Sequence, residues 1–174
     1  MDSSSLVAHI PSLRRYARAL TGDAWAADDL VQDTLERACS KWRLWTMGSD
    51  LRAWLFTIMH NLFASQLRRS PPRTMVDIAD VAHELRSVDS GHDDGLDLQR
   101  CLLLLPEDQR AVLLLVALED LSYAQVAKVL GIPAGTVMSR LSRARSRLHD
   151  LMDGAAAPVA VPPVLNRPGL RRLK

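Results

Sequence analysis

The sequence predicts an all-α protein made of two small helical domains joined by an acidic linker. Only 8 Gly and 9 Pro interrupt its 174 residues, and leucine is abundant. This composition favours helices over a β-sandwich. Apolar residues make up 48% of the chain and charged residues 24%, as is typical of a globular protein. The apolar positions recur at helical spacing in two separate segments, which we interpret as two domains.

The distribution of charge sets the domain boundaries. The whole chain has a formal net charge of +2, but residues 71–98 alone carry −5. This stretch begins with two prolines and has no sustained apolar period, which indicates a linker. We expect one helical domain at 1–70, an acidic flexible linker at 71–94 and a second helical domain at 95–152. The Ala/Pro-rich basic tail, 153–174, is predicted to be disordered.

Counts of special residues exclude several protein classes. The two cysteines, Cys39 and Cys101, provide neither a disulfide framework nor a CxxC metal motif, and we expect both to be buried small hydrophobic residues. The longest apolar run, 111–118, is far shorter than the ~18 residues that span a bilayer. The N-terminus has no apolar stretch of signal-peptide length. We therefore expect a cytoplasmic protein.

The first domain contains a helix with one acidic side. Apolar residues recur at helical spacing from 24 to 45, which predicts that this segment is helical. The opposite side carries five polar residues: Asp28, Asp29, Gln32, Asp33 and Glu36. Such a stripe is either a solvated helix surface or a docking face for a basic partner, and the residues alone leave both interpretations open.

A second helix of this domain, predicted at 51–69, combines aromatic and basic residues. Ser49 or Asp50 can cap its start, and an apolar stripe that includes Leu55 faces the core. We expect seven side chains on its other faces: Arg52, Phe56, His60, Asn61, Gln66, Arg68 and Arg69. Aromatic and basic groups in this arrangement suit single-stranded nucleic acid, whose bases stack at ~1–3 kcal/mol each. The alternative is that the aromatic residues between 42 and 63 form the core.

Two helices begin the second domain, at 98–105 and 106–118. Pro106 suits the start of a helix, and Glu107 and Asp108 suit the positive end of its dipole. The leucines and valines of these helices are expected to supply the core of the domain.

The next two helices have the sequence signals of a helix-turn-helix. Ser122 is a good N-cap, and Gln125 stands three residues later as its capping-box partner. Gly131 is expected in the left-handed conformation that ends a helix, and Pro133 lies where a new helix can begin. Two helices joined by such a short turn are typical of DNA-binding proteins.

The second of these helices, predicted at 134–151, has a buried stripe and a basic stripe. The buried stripe consists of Val137, Leu141, Ala144, Leu148 and Leu151, and the basic stripe of Arg140, Arg143 and Arg147. A helix of this kind fits the major groove, where Arg binds guanine through two hydrogen bonds. The alternative is an ordinary helical hairpin with a solvated basic face, but the capping residues, the turn and the basic stripe together favour DNA binding.

Five motifs follow one another along the chain: DDLVQDT at 28–34, LRAWLFTI at 51–58, NL at 61–62, LPEDQR at 105–110 and GTVMSRLSRAR at 135–145. In order and spacing, they resemble a bacterial RNA polymerase sigma factor of the extracytoplasmic-function (ECF) group. The similarity covers about residues 10–152.

The resemblance implies a role for each domain. The N-terminal domain resembles the one that binds core RNA polymerase and melts the minus-ten element, with the acidic stripe on the β′ coiled coil. The implied minus-ten residues are Trp45, Thr46, Arg52, Phe56, His60, Asn61, Arg68 and Arg69. The C-terminal domain resembles the minus-thirty-five reader and partner of the β flap, with Thr136, Met138, Ser139, Arg140, Ser142, Arg143 and Arg147 as the implied DNA contacts. A flipped base costs a few kcal/mol of stacking, which a binding pocket offsets.

The resemblance also implies a regulatory partner, and this chain departs from the family pattern at two positions. Members of the group are commonly held inactive by an anti-sigma factor, which is therefore an expected partner along with promoter DNA. The family often has a basic residue where this chain has Met138 and an aromatic one where it has Ser142. These differences predict an altered readout of the minus-thirty-five sequence.

Two other functions compete with a sigma factor. An autonomous repressor or activator would use the same helix-turn-helix, but it would not explain the acidic helix. An enzyme is disfavoured because no HExxH, GxSxG or phosphate-binding glycine loop occurs. The five histidines are scattered along the chain: His9, His60, His83, His92 and His149. We therefore expect no catalytic residue, metal site or cofactor.

Overall fold

The computed structural model describes residues 3–42, 45, 50–69 and 93–156. Within these ranges the regular structure is helical and contains no strand, so the expected all-α class is confirmed. The helices are α1 (Ser3–Val7), α2 (Ile10–Thr21), α3 (Ala24–Ser40), α4 (Leu51–Arg69), α5 (Asp93–Leu103), α6 (Glu107–Ala117), α7 (Tyr123–Leu130) and α8 (Ala134–Ala156). Three predictions concern residues outside these ranges: those for Thr46, for the linker up to residue 92 and for the tail from residue 157.

Local capping signals place several of the helix ends. Asp23 caps α3 by accepting a hydrogen bond from the Ala26 amide, and Asp50 caps α4 in the same way through Ala53. The capping box of α7 is present as predicted, with Ser122 and Gln125 bonded to each other's backbone amides. Gly131 ends this helix with φ +65°, a conformation in which glycine carries no steric penalty.

Three predicted helices have other bounds in the structure: the helix predicted at 98–105 is α5 (Asp93–Leu103), the one predicted at 134–151 is α8 (Ala134–Ala156), and the acidic helix ends earlier than predicted. The helical pattern of the acidic helix extends to residue 45, but α3 ends at Ser40. Beyond it, Trp42 packs on Trp45 with 5.0 Å between the ring centroids and on Trp54 of α4 at 6.4 Å. The three indole rings thus pack together beyond the end of α3.

Buried apolar residues of both domains form one cluster. In the N-terminal domain, α3 packs against α2 and α4, and Tyr16 meets Phe56 edge to face at 5.3 Å. In the C-terminal domain, α8 packs on α5, α6 and α7. The predicted stripe of α8 faces this core, with Val137, Leu141 and Ala144 buried.

The two domains contact each other directly, which the sequence does not predict. Helix α4 packs on α7, and α2 packs on α5 and α6. The backbone of Gly22, at the end of α2, lies so close to Leu103 that an added Cβ would stand 2.6 Å from a methyl group of that leucine. We call this arrangement of the two domains the closed conformation.

The described residues test the predictions for the two cysteines and for a membrane-spanning segment. Cys101 is buried as expected, but the prediction for Cys39 is wrong because it lies on the exposed side of α3. No described helix combines the length and the apolar character needed to cross a bilayer. No cluster of three or more His, Cys, Asp or Glu in these parts of the chain is arranged to hold a metal ion.

Candidate nucleic-acid and polymerase interfaces

Helix α8 presents most of its predicted DNA-reading residues to solvent. Ser139, Ser142, Arg143 and Arg147 are exposed, and Met138 exposes 51% of its surface. They lie opposite the buried stripe, as the helical spacing requires. The face is therefore open to a major groove in the closed conformation.

Two residues of this face differ from the rest. Thr136 and Arg140 are only half-exposed, and Arg140 forms an ion pair with Asp108 of α6 at 3.2 Å. Arg143 bends back along its own helix, where its Nε donates to the Ser139 carbonyl at 3.2 Å. In the closed conformation both guanidiniums are engaged by partners of their own domain.

On α4, the structure corrects the predicted exposure of Phe56. Its side chain is completely buried, because α4 packs against α3 on one side and α7 on another. Tyr16 covers the Phe56 ring from within the domain. In this conformation Phe56 belongs to the core and offers no surface for a base.

His60 is also largely covered in the closed conformation. Burial and the nearby Arg140 of the other domain lower the pKa of His60 below its ordinary value, and its Nδ1 has no hydrogen-bond partner among the described residues. Asn61, Arg68 and Arg69 are exposed. The polar face of α4 is thus covered near its beginning and open towards its end.

The aromatic cluster beside α4 contains another of the predicted minus-ten residues. Trp45 is half-buried and stacks on Trp42 at a tilted angle of 38°. Its indole Nε1 is buried and without a partner in the described part of the chain. Trp45 directly precedes the segment 46–49, for which the family resemblance implies a base pocket.

The acidic face of α3 consists of Asp28, Asp29, Gln32, Asp33 and Glu36. Four of these residues are exposed, and Asp33 is half-buried. Within the face, Gln32 donates to Glu36 at 3.1 Å. At the N-terminal end of the face, Asp28 forms an ion pair with Arg14 at 2.9 Å. Asp33 accepts a long hydrogen bond of 3.5 Å from the Gln66 side chain. Asp29 lies exposed among these contacts.

Sequence reasoning missed a cluster of charges between the domains. Glu119, in the turn between α6 and α7, has no exposed surface. Its Oε1 pairs with Arg15 of α2 at 2.9 Å, and its Oε2 pairs with Arg52 of α4 at 2.8 Å. Arg52 also donates to the Glu119 carbonyl at 2.6 Å. We call Glu119, Arg15 and Arg52 the interdomain ion cluster.

A second polar contact links the same two domains. The Gln125 side chain donates to Asp50 Oδ2 at 2.6 Å. The hydrogen bond from Ala53, and then that from Gln125, hold the pKa of the Asp50 carboxyl below its ordinary value. The N-terminal ends of α4 and α7 therefore meet at this point.

Comparison with known proteins identifies the family. The model of the sigma2 domain of PhyR matches residues 6–60, and the model of sigma-70 region 4 matches residues 95–148. The ECF RNA polymerase sigma factor EcfG of Rhodopseudomonas palustris is 43% identical over 156 residues, which cover 86% of this chain and 85% of that protein. The chain belongs to the ECF RNA polymerase sigma factor family.

Other ECF sigma factors agree with this assignment. SigM of Mycobacterium tuberculosis is 33% identical over 83% of this chain and 73% of its own. The sigma factor RpoE of Bartonella quintana, solved in complex with the anti-sigma factor NepR, has a similar fold with a TM-score of 0.71 and 35% identity. That similarity covers 87% of this chain and 96% of that one. The expected fold and the expected function as a transcription initiation factor are both confirmed.

Proposed function

We propose that this ECF sigma factor divides promoter recognition between its domains. The domain at 1–70 binds core RNA polymerase and melts the minus-ten element, and the domain at 95–152 reads the minus-thirty-five element. The observation that carries this proposal is the exposed face of α8, where Ser, Met and Arg side chains stand opposite a buried stripe in a helix-turn-helix. The proposed reading residues are Thr136, Met138, Ser139, Arg140, Ser142, Arg143 and Arg147.

The acidic face of α3 is the proposed site for polymerase. Its carboxylates are close together and mostly exposed, so a basic helical partner such as the β′ coiled coil complements them in charge. Trp25 lies one turn before Asp28 and Asp29 and exposes 86% of its surface. An exposed tryptophan beside charged groups is a typical anchor of a protein interface.

The proposed minus-ten surface lies on α4 and the adjoining tryptophan cluster. Asn61, Arg68 and Arg69 are exposed in the closed conformation, whereas Arg52 and His60 become available only when the domains separate. Trp45 and Thr46 belong to the proposed base pocket. Phe56 acts within the core beneath this surface.

We further propose that the factor works in the cytoplasm, has no catalytic activity and is inhibited by an anti-sigma factor. The support for an inhibitor is the structural similarity to a sigma factor solved with the anti-sigma factor NepR. The β flap of polymerase is the proposed partner of the C-terminal domain. Core RNA polymerase and promoter DNA complete the set of partners.

Run-off transcription on genomic DNA with purified core polymerase tests this function. We expect specific transcripts only when the chain and polymerase are both present. We also expect weak binding of DNA by the chain alone, since phosphate contacts dominate affinity and the net charge of the chain is only +2. Nanomolar, sequence-specific binding without polymerase would instead support an autonomous regulator.

A double charge reversal tests the acidic face. Asp29→Lys with Asp33→Lys places like charges against a basic partner, which costs several kcal/mol in the complex. Asp29 is exposed, and exposed charges contribute only ~0–1 kcal/mol to folding. Asp33 is half-buried and accepts one long hydrogen bond of 3.5 Å from Gln66, so we expect the melting temperature to change by a few degrees at most. We expect the variant to lose polymerase binding and transcription together.

The matched control reverses two exposed charges elsewhere, with Asp97→Lys and Asp153→Lys. We expect it to bind polymerase as the natural chain does. A folded variant of the acidic face with natural polymerase affinity would show that α3 is only a solvated surface.

A further inference from the structure

The interdomain ion cluster has the geometry of an anion-binding site. Two arginines from separate helices, Arg15 on α2 and Arg52 on α4, contact the two oxygens of one carboxylate at 2.9 and 2.8 Å. Guanidinium groups bind carboxylate and phosphate oxygens in the same way, through short charge-assisted hydrogen bonds. The N-terminal domain thus supplies both cations, and the C-terminal domain supplies the anion.

Both arginines are partly exposed, while the carboxylate that pairs with them is buried. Arg15 exposes 52% of its side chain and Arg52 exposes 33%, whereas Glu119 exposes none. When the two domains separate, Glu119 leaves with the C-terminal domain, and both guanidiniums remain on one surface of the N-terminal domain. Arg52 begins the same helix that carries the exposed cations Arg68 and Arg69. The vacated site therefore lies at one end of a basic helix.

The interface around the cluster has features of a contact that can separate. The Tyr16 hydroxyl and the Arg110 Nε are buried there without a hydrogen-bond partner in the described residues. Unpaired buried polar groups reduce the stability of a contact, and water satisfies them once it enters. An interface with such groups is less stable than a purely apolar one.

We propose that Arg15 and Arg52 form a binding site for a backbone phosphate of DNA, and that Glu119 occupies this site in the closed conformation. The free chain thereby inhibits its own binding to DNA. The inference rests on the proposed function, because it takes promoter DNA as the ligand. It adds Arg15 to the DNA-binding surface and gives Glu119 the role of an internal competitor.

Binding of a mixed-sequence single-stranded oligonucleotide to the full chain, without polymerase, tests the proposal. Glu119→Gln keeps the shape of the side chain but removes its charge. We expect tighter binding and a steeper dependence on salt, since each added phosphate contact on a single strand contributes about −0.7 to the slope of log K against log salt. Two contacts change the slope by about −1.4, so the advantage of the variant falls by about sevenfold between 50 and 200 mM salt.

Two further variants isolate the site. Asp97→Asn removes the same charge from an exposed position on α5, and we expect natural affinity and slope. In a chain with Arg15→Ala and Arg52→Ala, adding Glu119→Gln should produce no gain. A Glu119→Gln chain that binds DNA like the Asp97→Asn chain overturns the proposal, and so does a gain that persists without the two arginines.

A distance measurement tests the proposal without altering Glu119. Spin labels on the exposed natural Cys39 and on Asp153→Cys, in a Cys101→Ala background, report the separation of the two domains. We expect a single distance in the free chain and a different one when the oligonucleotide is bound. An unchanged distance in the DNA-bound chain overturns the proposal even if Glu119→Gln fails to fold.

Run-off transcription separates this proposal from the proposed function. If the natural chain supports transcription while Glu119→Gln shows natural DNA affinity, the phosphate site is wrong and the sigma-factor function stands. If the natural chain fails to support transcription, the proposed function is wrong. The salt titration then still decides whether Arg15 and Arg52 bind a phosphate, because such binding is independent of DNA sequence.

Discussion

The two helices proposed to read the promoter, α4 and α8, differ in how much of their DNA face is free. Helix α8 exposes Ser139, Ser142 and Arg143, and one of its arginines pairs within the same domain. Helix α4 has Arg52 paired with the other domain and His60 covered by it. Both helices are long and basic, but α4 also forms part of the interface between the domains.

The closed conformation therefore covers one proposed reading surface more than the other. The proposed minus-thirty-five face needs only the local release of Arg140 and Arg143 from partners in their own domain, whereas the beginning of the proposed minus-ten face is covered by the other domain. A variant at the covered surface therefore changes both domain contact and DNA binding. A variant at the open surface changes DNA binding alone.

The largest predicted effect compares two glycines, one at the covered interface and one in the open helix-turn-helix. Gly22 and Gly131 both have positive φ, of +75° and +65°, so alanine costs about 1–2 kcal/mol at either position. At Gly22 the new Cβ also meets Leu103 at 2.6 Å, whereas at Gly131 it meets nothing within 4 Å. Overpacking adds about 1–3 kcal/mol, so Gly22→Ala should destabilise the chain more in urea unfolding.

Leu103→Ala provides the control for that comparison. Combined with Gly22→Ala, it removes the methyl groups that clash and should recover the overpacking part of the loss. Equal destabilisation by Gly22→Ala and Gly131→Ala would show that Leu103 moves aside without cost.

A pair of arginine variants measures the interface itself. Arg52→Ala leaves the buried Glu119 with Arg15 as its remaining charged partner, and loss of a partner from a buried charge costs about 2–3 kcal/mol. Arg147→Ala, at an exposed position of α8, should stay within about 0.5 kcal/mol. Chemical denaturation of both variants measures the difference. Similar stabilities would mean that the interdomain ion cluster does not hold the domains together.

The open face can be tested by comparing two of its own arginines. Arg143→Ala should relax the preference at one minus-thirty-five base pair, with a loss of ~1–3 kcal/mol there. Arg147→Ala should weaken all promoter variants alike, because it lies further along α8, nearer to the backbone phosphates. Holoenzyme binding to a set of singly substituted promoters distinguishes the two. A uniform loss for Arg143→Ala would contradict its role in base reading.

The smallest predicted effect is a pH dependence of folding stability that comes from His60 on the covered face of α4. Burial and Arg140 lower the pKa of His60 from its ordinary value of 6.5, so the unfolded chain binds this proton more readily than the folded chain. Stability is therefore full above pH 6.5 and falls as the pH is lowered through that value. We expect the free energy of unfolding, measured by urea denaturation, to fall less between pH 7.5 and 5.5 in the His60→Gln variant than in the natural chain. His149→Gln, which alters an exposed histidine of α8, should retain the natural fall.

The sequence predicts features of this molecule that depend on neighbouring residues. The start of α4, the capping box of Ser122 and Gln125, and the buried stripe of α8 all follow from contacts within a few positions. The helical period predicts an exposed Phe56 because it identifies only one buried stripe. In the structure α4 is covered from two sides, and Phe56 is buried. The ion pair of Glu119 with Arg15 cannot be predicted from local sequence patterns, because the two residues are 104 positions apart. The linker between them does not indicate which residues of the two domains meet.

Gln125 has a consequence for how readily the molecule changes shape. Its Oε1 accepts from the Ser122 amide within α7, and only its Nε2 reaches across to Asp50. Asp50 likewise uses its other oxygen, Oδ1, to cap α4. When the domains part, each helix keeps the hydrogen bond that preserves its first turn, and water replaces only the bond between them. The two domains can therefore move as preformed units, and no helix has to unravel and be rebuilt each time the factor engages a promoter.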